Sequence, residues 1–257
     1  METINTNKGR VGNFTSSEIG ALMSNGKVKG TLGEPAYTYI DECNMERRLL
    51  RSITDEVDAR PLTWGKFLEK RVFDILGVKY KECSLESIQH KEFSCWWGSP
   101  DGEKFDEGKT VIDIKCPKTL KSFCNLVDAG RSGDIVENLR KVKSGSKKIG
   151  EIYFWQLVSN AILTGAKYAE LVVYMPFQNE LDEIRSAAMN YDGPEQKSYL
   201  WIYGSTDEEL PHLIEGGYYT NLNTLRFEVL QEWKDELEAR VSLASNELDE
   251  YFKPKEN

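Results

Sequence analysis

A chain of 257 residues, 40% hydrophobic and 11% aromatic, is long and apolar enough to bury roughly 70–75% of its unfolded surface, which excludes a disordered protein. No apolar run approaches the ~18 residues of a membrane span, and the polar residues 1–8 carry no signal-peptide core, so a cytoplasmic protein without a membrane segment is expected. The net charge of −9 argues against a uniformly basic nucleic-acid binder, and five cysteines with no Cys-x-x-Cys pair exclude a zinc ribbon or a disulfide framework.

Taken in chain order, the first signal is Arg10 followed by Thr15, Ser17 and Glu18. Thr15 and Glu18 have capping-box spacing, which predicts a helix from there through Met23. A helix start with two hydroxyls and an arginine nearby is either a plain cap or a phosphate site. Residues 34–52 read as a charged helix resting on Tyr37, Ile40, Leu49 and Leu50. A stronger helix spans 61–77, where Trp64, Phe67, Leu68, Val72, Ile75 and Leu76 recur at helical spacing and Gly77 ends it. Glu69 shares a face with Gly65, Val72, Phe73 and Leu76. A carboxylate bordering an apolar stripe either snorkels to solvent or needs a charge or metal partner.

Residues 78–83 and 92–97 read as strands. Gly98-Ser99-Pro100-Asp101-Gly102 is turn chemistry. Thr110–Lys115 alternates as a third strand, with Thr110, Ile112 and Ile114 on an apolar face and Val111, Asp113 and Lys115 on the other. Asp113 and Lys115 thus share a face, and Asp101 on the preceding loop can be brought beside them. Taken singly, each is as common as a solvated face or a turn. Together, two carboxylates and an ammonium at one strand edge suit a hard cation and an activated water.

From Pro117 to Gly150 the chain is polar, with a short helix at 134–143 and a mobile loop at 144–146. Within it Arg140, Lys141, Lys143, Lys147 and Lys148 put five cations in nine residues, either a track for a phosphate backbone or a solvated loop. Ile149–Thr164 is the next clear helix, with Ile152, Trp155, Ser159, Ile162 and Leu163 inward and Gln156 near that side; on pattern alone Gln156 is a core hydrogen-bonder. Residues 168–175 form a buried strand. Beyond Pro176 the pattern gives a helix at 178–190, a strand at 199–203, and a long acidic helix at 222–251. Trp201, Tyr203, Tyr218 and Tyr219 suit core packing or base stacking.

Read jointly, Ser99-Pro100-Asp101-Gly102 and Asp113-Ile114-Lys115-Cys116-Pro117 resemble the PD-(D/E)XK nuclease superfamily, and within it the phage lambda exonuclease and YqaJ-like viral recombinase group. Lambda-type enzymes carry Glu-Leu-Lys-Cys-Pro at this strand; the shorter Asp113 is allowed by the superfamily motif. The resemblance covers about residues 8–176 and takes in Arg10, Thr15 and Ser17 at matching spacing, Gly65 with Glu69, and Tyr153 with Gln156. It implies an α/β (α+β) fold: a central mixed β-sheet flanked by helices, with a restriction-endonuclease-like core of helix, three strands, helix and strand. The chain would be a single nuclease domain over 1–257, with C-terminal additions at 177–257.

The implied activity is Mg²⁺-dependent 5′-to-3′ exonucleolytic digestion of linear double-stranded DNA in phage-type recombination. Asp101, Asp113 and the Ile114 carbonyl would hold metal and Glu69 would help a second ion, the two lying ~3.5–4 Å apart, with the choice between Mg²⁺ and Mn²⁺ left open. Lys115 would orient the attacking water, a role that asks for a lowered pKa. Gln156 would orient water or phosphate, Arg10, Thr15 and Ser17 would clamp a 5′-phosphate, and the basic run would follow the DNA backbone. The implied partners are duplex DNA ends, a trimeric or tetrameric ring of like chains, and a single-strand annealing protein. A ring reconciles an acidic exterior with a basic bore. The alternatives are a restriction-type endonuclease with the same catalytic face, a catalytically inactive DNA-binding or assembly protein, and a protein-interaction domain dominated by the acidic C-terminal helix.

Overall fold

The N-terminal part of the chain runs through β1 (Phe14–Thr15), a 3-10 turn at Ile19–Met23, α1 (Glu34–Leu49) and α2 (Arg60–Leu76). Five short strands follow: β2 (Tyr80–Glu82), β3 (Ile88–Gln89), β4 (Trp96–Gly98), β5 (Gly102–Lys104) and β6 (Thr110–Lys115). Then come α3 (Leu120–Ala129), α4 (Ile135–Lys141), α5 (Ile149–Thr164), β7 (Tyr168–Tyr174), α6 (Leu181–Met189), α7 (Gln196–Tyr203), β8 (Leu222–Glu228) and α8 (Gln231–Ser245). This computed structural model describes residues 9–53, 60–83, 86–106, 108–131 and 133–251; the N-terminal segment 1–8 lies outside them.

The strands form two mixed sheets. The larger has the order β2-β5-β6-β7-β8, and a smaller one has β1-β4-β3. In the larger sheet β2, β5 and β6 form an antiparallel meander, β6 and β7 are parallel from Thr110↔Tyr168 to Lys115↔Val173, and β8 pairs antiparallel with β7. A parallel pair needs a long crossover, and the α3–α5 segment supplies it. The architecture is therefore mixed α/β, with a central sheet flanked by helices.

Both faces of the sheet are covered. Val111, Leu171 and Val173 join the larger core with Trp96, Phe154 and Leu237, whereas Ile112, Ile114, Val172 and Tyr174 join a second core with Trp64, Leu68 and Ile202. β6 is accordingly buried along Thr110 to Ile114 rather than on one face only. α5 is buried nearly all round, at Phe154, Trp155, Leu157, Val158, Ser159, Asn160 and Ala161, while Ile152 is exposed. Among the described residues no helix is long and apolar enough to cross a membrane.

Several local expectations are corrected. Thr15 lies in β1 and caps nothing; the turn that follows begins at Ile19 without a side-chain cap. The strand expected at 92–97 shortens to β4 and belongs to the small sheet. Its expected place in the central sheet is taken by β5, which opens at Gly102, the last residue of the supposed turn. α3 was not anticipated, although Phe123, Leu126 and Val127 have helical spacing and Thr119 caps the Ser122 amide. Residues 144–147 close as a bridged turn. The segment 199–203 has a strand-like composition but is helical, burying Tyr199 and Ile202 one turn apart, so packing overrides propensity. The supposed single helix at 222–251 divides into β8, with Leu225 and Phe227 inward, and α8.

Candidate active site

β6 carries Asp113 and Lys115 to one end of the central sheet, and the β5–β6 meander returns Asp101 alongside. Asp101 Oδ2 accepts the Ile114 amide at 2.6 Å, which fixes the two segments in register. Asp113 is fully buried: its Oδ1 accepts Gln156 Nε2 at 2.8 Å, and its Oδ2 lies 2.7 Å from Lys115 Nζ. That second contact is an ion pair without hydrogen-bond direction, so Oδ2 remains a buried oxygen with no hydrogen bond. Lys115 Nζ also reaches Gln156 Oε1 at 3.3 Å and sits 4.8 Å from the Tyr153 ring centre. Asp113, Lys115 and Gln156 therefore close a small triangle between β6 and α5.

These groups open into a cleft of ≈1020 Å³ whose lining also includes Arg10, Gly65, Glu69, Glu82, Ser99 and Lys118. α2 brings Glu69 to it. A Cβ built on Gly65 would meet nothing within 4 Å, so the glycine leaves room in the cleft rather than easing a packing contact. Burial holds the Asp101 carboxyl well above its ordinary range, with Asp113 the next contributor. Burial likewise raises Glu69, helped by Glu82 and then Asp113. Burial would lower Lys115, but Asp113 and Asp101 outweigh it and hold the ammonium above its ordinary value. That direction belongs to the metal-free site; the lowering expected from the sequence depends on positive ions held beside the lysine.

The donor set fits a hard divalent cation. Asp101, Asp113 and Glu69 share a cleft in which Asp113 raises the proton affinity of the other two, one buried carboxylate oxygen lacks a hydrogen bond, and the Ile114 carbonyl follows in sequence. Among the described residues no three acidic, histidine or cysteine side chains form a ready-made metal cage, so backbone oxygen and solvent would complete the coordination.

Arg10 also borders a second cavity of ≈520 Å³, lined by Thr15, Ser17, Tyr39 and the acids Glu18, Glu42 and Glu46. Thr15 Oγ1 and Ser17 Oγ are 3.2 Å apart, and the Thr15 amide donates to Tyr39 Oη at 2.9 Å. Arg10 thus touches both cavities, with Thr15 and Ser17 in the second. The basic run is not in either lining. Arg140 is bidentate to Glu151 at 2.8 Å and lies over Phe154, and Lys141 pairs with Glu137. Lys143, Lys147 and Lys148 are exposed. Of the aromatic candidates, Trp201 is packed near Trp64 with Lys118 Nζ 4.5 Å from its ring, while Tyr203 and Tyr218 are exposed.

Sequence reasoning missed the interior side of the site. Ser159 Oγ accepts Trp96 Nε1 at 2.9 Å and lies 2.7 Å from Ser16 Oγ, and the adjacent Asn160 is buried with neither amide atom bonded. Helical spacing placed Ser159 inward, but no local pattern pairs it with Ser16 and Trp96 or marks Asn160 as buried.

The chain matches no protein-family model and no curated protein in sequence. Its fold does have solved counterparts. It is similar to a phage related exonuclease from Haemophilus somnus 129PT, at TM-score 0.63 and 16% identity over 91% of this chain and 92% of that one. It is also similar to an alkaline exonuclease, LHK-Exo, from Laribacter hongkongensis, at TM-score 0.56 and 17% identity over 95% and 92% of the two chains. LHK-Exo in complex with dAMP gives TM-score 0.53 and 18% identity over 93% and 88%. At these identities the likeness establishes the fold, that of phage-type exonucleases, along nearly the whole chain.

Proposed function

We propose that this protein is a metal-dependent DNA exonuclease of the PD-(D/E)XK type, which removes nucleotides from the 5′ ends of linear double-stranded DNA. The observation that carries the reading is the buried Asp113 carboxylate, held between Lys115 and Gln156 beside Asp101 in one open cleft, with an oxygen that lacks a hydrogen bond. A structural ion pair needs no such cleft and no second and third carboxylate.

Asp101, Asp113, the Ile114 carbonyl and Glu69 are the groups that would hold Mg²⁺, in one or two ions; Mn²⁺ has the same oxygen preference. When bound, the metal supplies Lewis-acid stabilisation of charge on the phosphoryl oxygens. Lys115, kept as an ammonium, donates hydrogen bonds: it orients the attacking water and neutralises charge building on the phosphate. Gln156 fixes Asp113 with its amide N–H and Lys115 with its carbonyl, so both charged groups are positioned before substrate arrives. Water attacks phosphorus, the P–O3′ bond breaks, and the released nucleotide leaves with a 3′-hydroxyl. The shortened strand again ends in a 5′-phosphate. That is the group Arg10, Thr15 and Ser17 are suited to bind, Arg10 by charge and the hydroxyls by donation. Assembly into a ring around the duplex and cooperation with a single-strand annealing protein in recombination belong to the same proposal. The phage-exonuclease fold supports the exonuclease reading.

Linear duplexes labelled at either end, with or without a 5′-phosphate, are incubated with Mg²⁺ or with EDTA, beside a closed circular duplex. The expected result is Mg²⁺-dependent loss of label from the 5′ end and an intact circle, with turnover abolished by Asp113→Ala. Cutting of the circle would replace the exonuclease by an endonuclease, and undiminished turnover by Asp113→Ala would remove the site.

A further inference from the structure

Thr15 and Ser17 line the smaller cavity, but Ser16 between them is buried and faces the interior. Its Oγ lies 2.7 Å from Ser159 Oγ, which also accepts Trp96 Nε1 at 2.9 Å, and its amide donates to the Trp97 carbonyl at 2.9 Å. Ser159 is on α5 one turn beyond Gln156. Trp96 is on β4, whose chain runs through Gly98 to Asp101. Three segments therefore meet at one buried point: the one flanked by the terminal-phosphate residues, the one leading to Asp101, and the helix that holds Asp113.

Their approach leaves no slack. A Cβ on Gly98 would collide with Ser16 Oγ and stand 2.5 Å from Leu163 Cδ1 and 2.9 Å from Asn160 Oδ1. In a buried site a hydroxyl pair is strong and directional.

We infer that Ser16 and Ser159, anchored by Trp96, are positioning residues that couple the terminal-phosphate pocket to the hydrolytic centre. This rests on the function proposed above. Neither hydroxyl touches DNA. Their role is to hold the two sites at a fixed span, so that binding energy from the 5′-phosphate is used to align the scissile bond rather than only to retain the end. Loosening the span leaves the phosphate bound and the hydrolytic groups intact but misaligns one with the other. A misplacement of about 1 Å can cost on the order of 10²-fold in rate.

The test compares kcat and KM on duplexes ending in 5′-phosphate and in 5′-hydroxyl. Wild-type protein is expected to turn over phosphorylated ends faster. In Ser16→Ala, which keeps the Trp96–Ser159 bond, the kcat advantage of the phosphate is expected to fall about tenfold, with KM for phosphorylated ends and the rate on hydroxyl ends near wild type. Ser159→Ala removes the other partner and also strands the Trp96 indole N–H, so it should lose the phosphate advantage at least as fully, and Ser16→Cys, a poorer hydrogen-bonder of similar size, should fall between wild type and Ser16→Ala. Thermal unfolding confirms that each variant is folded. If both substrates slow equally, or the phosphate advantage persists in folded variants, the coupling is wrong. If wild-type protein shows no phosphate advantage or no hydrolysis, the functional reading itself fails.

Discussion

Asp101 accepts a short backbone hydrogen bond and still has its carboxyl pushed well above the ordinary 3.8, because burial and then Asp113 oppose its charge. An acid raised in this way binds its proton more tightly folded than unfolded. Its destabilising effect is complete above the folded pKa and disappears as pH falls through that value toward the unfolded one. Without metal, Asp101→Asn is therefore expected to stabilise the protein by about 1 kcal/mol near neutral pH, the usual scale for relieving a strained active site. The gain should shrink as pH is lowered, as read from urea unfolding at a series of pH values; a pH-independent gain would contradict the electrostatic cause. Mg²⁺ should raise the wild-type unfolding midpoint in proportion to the logarithm of its concentration and leave Asp113→Ala unmoved, because only a folded site that binds the ion is stabilised by it. Both carboxylates and Lys115 were legible from Pro-Asp-Gly and Asp-x-Lys. The raised lysine was not, since its sign depends on how many carboxylates surround it in space.

At the scale of elements, α2 is the one that must be held, because it carries Glu69 into the cleft. Arg71, two residues on, ties it to the end of β7, to the turn beyond and to the start of α6: Nε to Tyr174 Oη at 3.1 Å, and Nη2 to Glu180 at 2.9 Å and Glu183 at 3.0 Å. Glu180 is 16% exposed and Glu183 70%, so the two ion pairs are unequal. Arg71→Ala is expected to cost about 1.5–3 kcal/mol, because it removes charged hydrogen bonds and the counter-ion of a largely desolvated carboxylate, which keeps only the neutral donors Tyr174 Oη, the Phe177 amide and Asn221 Nδ2. Glu183→Ala should cost well under 1 kcal/mol, as exposed pairs do. Chemical denaturation distinguishes them, and equal losses would refute the ranking. α2 and α5 were readable because their apolar residues repeat at helical spacing. β8 was not separated from α8, because only two of its side chains, Leu225 and Phe227, show the two-residue period clearly. α7 was misread because Tyr-Leu-Trp-Ile-Tyr has strand-like composition, and its helical pairing of Tyr199 with Ile202 matters only once α2 and α6 are present to cover it.

For the molecule as a whole, an excess of nine negative charges must be overcome wherever DNA is gripped. Arg140 and Lys141 are committed to Glu151 and Glu137, whereas Lys143, Lys147 and Lys148 make no ion pair among the described residues. Replacing these three lysines by Gln should weaken DNA binding alike for all sequences. It should also flatten the dependence of log K on log salt by about 0.9 for each phosphate that is no longer neutralised. Mg²⁺-induced stabilisation should not change. An unaltered salt slope in a titration series would take the basic run out of the DNA path.

By itself the sequence determined the chemistry-bearing strand and the two helices that flank it, because a two-residue or a 3.6-residue period and a charged pair on one face are local properties of the chain; the class of fold came from the family resemblance of its motifs. The tertiary structure decided the rest. It moved Trp96 out of the central sheet and Gly102 into it, set Lys115 between Asp113 and Gln156, joined Gln156 to Asp113, and buried Ser16 against Ser159. Each of these depends on which distant segments exclude water together, and no local pattern encodes that.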